Sequence, residues 1–376
     1  MSSKTLLTPN AQFAFKLFAE LTKTNIEQNV FISPTSVGLA LAMVYNGARG
    51  ETARAILRTL DLGEIDLDAL DRANAALLES LRAFDPHVAL AIANSLWAQQ
   101  GINFAPDFLS RNQEFYRAEI ATLDFAGSQA AATINQWVAR NTSDKIKTII
   151  DQIDRSAIMF LLNAIYFKGS WAKPFDPRRT REMPFTLSGG RQKQLPMMAQ
   201  TGKFDYYAIQ GFQAISLPYG AGRASMYIFL PERRSSLRAF RRELSHKSWD
   251  AWLRHFRQAD GTIILPRFKL AYEARLNDAL KALGMGLAFD GRRADFSGMF
   301  ADGKPSAAID EVKHKTFIEV NEEGTEAAAV TSIGMVRLAM APQRTFSMIV
   351  DRPFFCAIRD NQTGALLFMG AITDPE

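Results

Sequence analysis

The chain reads as one α+β domain, on three observations. Apolar positions recur at helical spacing through the first 85 residues, short β-rich runs dominate thereafter with helices between them, and nothing divides the 376 residues. No repeat, low-complexity tract or polar linker marks a boundary, and a 47% hydrophobic fraction can fill a large core, so the domain spans 1–376.

The helices come first. Phe15, Phe18, Ala19 and Leu21 share one helical face; a second helix covers Pro34 to Tyr45 and a third Leu67 to Leu81. Ser33 before Pro34 places a cap ahead of a first-turn proline, and Gly47 is a natural stop. Strands are expected at Val88 to Trp97, Ile158 to Phe167, Ser225 to Leu230, Gly261 to Leu270, Phe346 to Val350 and Phe354 to Arg359. Helices at Ala130 to Asn141, Ser236 to Leu244 and Ala274 to Leu283 interrupt them, without the regular alternation of a doubly wound fold.

Composition narrows the function. The net charge of +5 is spread along the sequence and argues for neither a nucleic-acid nor a membrane partner. The densest basic stretch, ERRSSLRAFRRELSHK at 232–247, would bind a polyanion only if its arginines shared a helix face, and a solvated helix is preferred. The first residues lack the pattern of a secretory signal and no apolar run is long enough to span a bilayer, so a cytoplasmic protein is expected, secretion requiring a signal already removed. The lone Cys356 allows no internal disulfide, and after Pro-Phe-Phe it reads as a buried hydrophobe.

An enzyme finds little support. The four histidines, His87, His246, His255 and His314, sit in no recognisable catalytic setting, and nucleophile elbow, metal motif and phosphate loop are all missing, so neither metal nor cofactor is expected. His314 interrupts a strand pattern and reads as an interior histidine bonded to its neighbours.

The most informative segment is EEGTEAAAVTS at 322–332. As a helix it would be capped by Thr325. As a strand, it turns Thr325, Ala327, Ala329, Thr331, Ile333 and Met335 to one face, which holds no ionised group, while Glu326, Ala328, Val330, Ser332 and Gly334 face the other way. Such a segment can be exposed or buried in a sheet, with Gly324 as the pivot. GMVRLAMAPQR follows, without periodicity, until Phe346 restores strand character, so a long exposed loop is expected at roughly 322–346.

The ordered motifs resemble those of serpins from Asn29 to Pro375: NVFISPTSVGLALAMVYNGARGET at 29–52, NSLWAQ at 94–99, INQWVARNTSDKI at 134–146, LLNAIYFKGSW at 161–171, LPRFKL at 265–270, FSGM at 296–299 and DRPFFCAIRDNQTGALLFMGAITDP at 351–375. The resemblance implies three β-sheets with eight or nine helices and an exposed reactive centre loop. It implies a monomeric serine protease inhibitor, not an enzyme: a suicide substrate whose cut loop inserts as a strand and carries off a covalently bound protease, a mechanism taken from the family. Thr325 to Leu338 would extend roughly 46 Å at about 3.3 Å per residue, far enough to move a protease across the molecule.

Carried over residue by residue, the resemblance makes Glu322, Glu323, Gly324, Thr325, Glu326, Ala327, Ala328 and Ala329 the hinge. Ser33, Ser36, Asn163 and His314 become the polar shutter beneath the sheet, and Trp171, Arg267 and Glu322 the breach where insertion begins. The cleaved bond is expected between Leu338 and Ala339, suiting a chymotrypsin-like or elastase-like pocket; Arg337 would suit a trypsin-like one and Met340 an elastase-like one. A non-inhibitory carrier or chaperone is the competing reading and an unrelated histidine hydrolase a third, but the uncharged, proline-free inward face favours inhibition. In the helix D region at 64–85, Glu64, Asp66, Asp68, Asp71 and Glu79 against Arg72 and Arg82 argue against a heparin-type cofactor site.

Overall fold

A computed structural model describes residues 7–24, 27–82, 85–154, 157–303, 307–325 and 345–376. Helix α1 (Leu7–Thr24) and the short strand β1 (Val30–Ile32) precede α2 (Pro34–Tyr45), α3 (Gly50–Thr59) and α4 (Leu67–Arg82). Strands β2 (Val88–Gln99), β3 (Glu119–Leu123) and β4 (Met159–Ser170) are interleaved with α5 (Pro106–Arg111) and α6 (Ala130–Asn141). Four strands follow, β5 (Arg181–Thr186), β6 (Gln192–Ile209), β7 (Phe212–Tyr219) and β8 (Ala224–Pro231), then the short helices α7 (Leu237–Glu243) and α8 (His246–Leu253). Beyond them lie β9 (Arg257–Pro266), β10 (Phe268–Arg275), α9 (Asn277–Leu280), β11 (Glu311–Val320), β12 (Gly324–Thr325), β13 (Phe346–Ile349), β14 (Phe354–Asp360) and β15 (Leu366–Ile372).

The described strands join into two sheets. The central one runs β10-β11-β12-β4-β2-β3, with β11 also paired directly to β4; the other runs β1-β15-β14-β8-β7-β6-β9-β13, with β5 on β6. The third sheet expected from the resemblance is not separate, because the 18-residue β6 pairs with β5 along its first part, with β9 from Met197 to Tyr206 and with β7 along its last part, joining these strands into one sheet.

The layers follow from burial. β4 is buried from Met159 to Phe167, covered on one face by α6 and on the other by the second sheet and α2, and so reads as an unbroken apolar run. On α6, Ile134, Trp137 and Val138 form the stripe that meets β2 and β4, with Trp137 edge-on to Trp97 at 6.0 Å. α2 is buried nearly all round, starting at Ser33, whose hydroxyl accepts from the Ser36 N–H, and Pro34 in the first turn.

Three local expectations change. The run Gly261 to Leu270 is two strands, because the chain leaves the second sheet after Pro266 and joins the central one at Phe268; the Arg267 N–H turns to the Pro196 carbonyl at 2.8 Å. The helix expected over Ala274 to Leu283 begins only at Asn277, since β10 pairs with β11 as far as Arg275. The basic stretch at 232–247 is broken between α7 and α8, each capped by its own serine, Ser236 and Ser245. Arg238, Arg241 and Arg242, at i, i+3 and i+4 on α7, do share a helix face, but Arg241 is half-buried there and Arg233 is tied to Asp351.

In the 64–85 region Asp71 is not a surface charge. It is fully buried on the inner face of α4, accepting from Tyr116 at 2.7 Å and Arg111 at 2.6 Å. Among the described residues no helix is long and apolar enough to cross a membrane, and no group of three His, Cys, Asp or Glu could hold a metal.

Candidate functional site: a seam in the central sheet

β11 and β4 run parallel, paired from Glu311 opposite Phe160 to Phe317 opposite Tyr166. Beyond that point they part, and β12 occupies the gap, antiparallel to both: Thr325 pairs with Val320 on one side and Gly169 on the other, and Gly324 with Ser170. The two central hinge residues expected from the sequence are thus already the first rung of an additional strand.

Local chemistry explains the placement. The Asn321 side chain accepts from the N–H groups of Glu323 and Gly324 at 3.0 and 3.2 Å, and the backbone N–H of Asn321 donates to the Gly324 carbonyl, folding the chain back from β11 into β12. Only glycine fits next, because a Cβ on Gly324 would lie 2.1 Å from the Gly169 carbonyl oxygen. Thr325 is fully buried, and its hydroxyl shares a hydrogen bond with the Tyr219 hydroxyl at 2.8 Å.

The breach residues gather above this rung. Trp171 stacks on Tyr219 at 4.4 Å; its indole N–H donates to the Asn321 carbonyl and its backbone N–H to Glu323. Glu322, 5% exposed, accepts from Arg267 and Thr180, both at 2.6 Å. Burial pushes its carboxyl up, but these hydrogen bonds and the Arg267 charge outweigh burial and hold it below the ordinary range.

Beneath the sheet, Ser33, Ser36, Asn163 and His314 are fully buried and connected as expected. The Ser33 N–H donates to His314 Nε2 at 3.0 Å, so the Nδ1 proton is the one directed at Asn163 Oδ1, 2.5 Å away. The Asn163 amide donates in turn to Ser36 Oγ and to Asn94 Oδ1, the latter at 2.6 Å. Asn94, Asn163 and His314 lie opposite one another on β2, β4 and β11, so the His314–Asn163 bond spans the β4–β11 pairing. Burial lowers the imidazole pKa to about 3 and keeps it neutral.

Sequence reasoning missed Asn94, Thr180, Tyr219 and Asn321. Of these only Asn321, a turn residue just before Glu-Glu-Gly, leaves a local signal. The remaining expected hinge residues Glu326, Ala327, Ala328 and Ala329, and the bond candidates Arg337, Leu338, Ala339 and Met340, lie outside the described residues. Cys356 is fully buried, which pushes its thiol pKa up to about 12 and leaves it without nucleophilic character at neutral pH.

Comparison with known proteins agrees with this geometry. The family model described as serpin (serine protease inhibitor) matches residues 8–375. A leukocyte elastase inhibitor of Xenopus laevis is 37% identical, the match covering 96% of this chain and 97% of that protein. Among solved structures, the thermophilic serpin tengpin in its native state superposes with a TM-score of 0.89 at 30% identity, over 98% of this chain and 94% of that one. Human thyroxine-binding globulin bound to its hormone gives 0.92 at 26% identity, with both chains fully covered. A family match across nearly the whole length, on a chain whose central sheet already admits the first rung of a further strand, establishes that this protein belongs to the serpin family of serine protease inhibitors.

Proposed function

We propose that the chain, acting as a single domain over 1–376, inhibits serine proteases as a suicide substrate. The observation that carries this reading is β12, held between β11 and β4 with Thr325 as its leading residue. Continuing its register down β4 sets Met335 against Met159, so the inward-facing residues Ala327, Ala329, Thr331 and Ile333 would enter the sheet in turn. One parallel ladder would be exchanged for two antiparallel ones, which pair slightly better per residue.

In the proposed reaction the protease's serine Oγ attacks the Leu338 carbonyl, its proton passing through the protease's own base to the Ala339 amine as that bond breaks. Leu338 is left as an ester on the protease. Insertion then draws the ester away from the loop's starting position before water reaches it. The leucine, together with the elastase inhibitor named among the relatives, supports a chymotrypsin-like or elastase-like target.

The test is to mix the protein with chymotrypsin-like, elastase-like and trypsin-like proteases, run denaturing gels and locate the cut by mass spectrometry. A denaturant-resistant adduct with a cut after Leu338 is expected. A cut after Arg337 would move the target to trypsin-like enzymes, and clean cleavage without adduct across the panel would favour a carrier, as the likeness to thyroxine-binding globulin allows.

A further inference from the structure

The positive charge of the protein is concentrated in one segment of the chain. Residues 168–203 carry eight Lys or Arg and two Asp or Glu, a net of +6, whereas the whole chain nets +5; everything else is together slightly acidic. Two of these cations meet at Thr201 on β6. Lys173 Nζ donates to the Thr201 carbonyl and Arg179 to its hydroxyl, both at 3.2 Å, while the Arg181 guanidinium donates to the carbonyls of Arg178 and Thr180 at 2.6 and 2.8 Å. All three cations are exposed and anchored by neutral oxygens, and among the described residues none forms a salt bridge. Their charge is therefore directed outward, unlike that of Arg178, Lys203 and Arg267, which face Asp176, Asp260 and Glu322.

Both ends of the loop reach this surface. Thr180 bonds Glu322, two residues before β12, and on the other side Thr201 pairs across to Thr262, which pairs with Ser347 where the chain returns in β13. Lys173, Arg179 and Arg181 thus lie next to the described segments that flank the bait loop on both sides. We infer that these three residues form a docking surface for acidic side chains around the active site of the target protease, and that they set the rate of encounter. This inference rests on the inhibitory reading and names a property of the partner: a serine protease with a negatively charged rim. Charges near a binding site raise association rates by about 10- to 1,000-fold at low salt, and the effect fades as salt screens it.

The test compares the protein with Lys173→Glu/Arg179→Glu and with the milder Lys173→Gln/Arg179→Gln. Second-order inhibition rates are measured against two proteases of the same pocket specificity, one with an acidic and one with a basic rim. With the acidic protease at about 50 mM salt, the reversal variant should associate roughly tenfold more slowly and the neutral variant fall between; at about 0.5 M the gap should shrink to under about twofold. The basic-rimmed enzyme should show the opposite sign, and the number of inhibitor molecules consumed per protease should be unchanged, since the loop still inserts. Adducts that form at equal rates in all three proteins at low salt would overturn the inference, as would a charge dependence seen only after a sulfated polysaccharide is added. Absence of adduct with every protease, wild type included, would instead mark failure of the inhibitory reading.

Discussion

Acid should loosen the seam through a single side chain. His314 is neutral where it stands, its two ring nitrogens committed to the Ser33 N–H and the Asn163 carbonyl oxygen. A second proton would have to sit on Nε2, facing the Ser33 N–H. Its pKa is lowered from 6.5 to about 3 by burial, so between those values a state that exposes the ring binds more protons than the closed form. Stability therefore rises with pH across that window and is lost as pH falls below 6.5. At about 1.36 kcal/mol per pH unit, the loss between pH 7.5 and pH 5 is about 2 kcal/mol, or up to about a 30-fold faster loss of the native form if the ring is fully hydrated when the seam opens. The assay is the half-life of inhibitory activity at one fixed temperature at both pH values, for the wild type and for His314→Gln, which cannot titrate there. The variant should start from a shorter half-life but show little of the acid acceleration. If both proteins accelerate by the same factor, the titrating group lies elsewhere and the reasoning about the shutter fails.

The other predictions concern the hinge and the breach. Thr325→Arg or Ala327→Pro should convert inhibitor into substrate, read as cleavage without adduct, because a buried charge or a missing N–H blocks the ladder; unchanged inhibition would count heavily against insertion. Loop cleavage should raise the melting midpoint by roughly 2 °C for every kcal/mol gained from the new strand, and an unshifted midpoint would contradict the register drawn from β12. Glu322→Gln should cost about 1 kcal/mol, discounted because Arg267 is half-exposed; since the carboxyl is held below its ordinary range, its contribution is present above about pH 4.5 and is lost on acidification, which chemical denaturation at pH 7 and pH 4 can check.

Much of the architecture is local and so was readable directly. Ser33 and Pro34 start α2 because one supplies an acceptor for an unpaired N–H and the other lacks an N–H to satisfy; Ala130 to Asn141 is a helix because its apolar residues fall on one stripe. The uncharged alternation after Gly324 set the expectation of a segment able to enter a sheet, of which Gly324 and Thr325 are paired there, and the motif resemblance put Glu322 beside Arg267 and His314 beside Asn163, as the structure does. In the basic stretch at 232–247 Arg241 is half-buried and Arg233 is tied to Asp351, while the exposed cations Lys173, Arg179 and Arg181, from the segment between β4 and β5 and the start of β5, form no salt bridge among the described residues.

The sequence by itself determined the class of fold and the family, since these depend on spacing and side-chain type, and it set the expectation that the run after Gly324 can be buried. Tertiary structure alone decided that Gly324 and Thr325 are already paired within the central sheet, that Tyr219 meets Thr325 from 106 residues away, and that a His–Asn bond spans the paired β4 and β11. Such contacts join strands far apart in the chain, and no local pattern records them: their register is set by the packing of whole sheets, with the parallel pairing of β11 to β4 below and the parting of those strands above leaving room for one more rung.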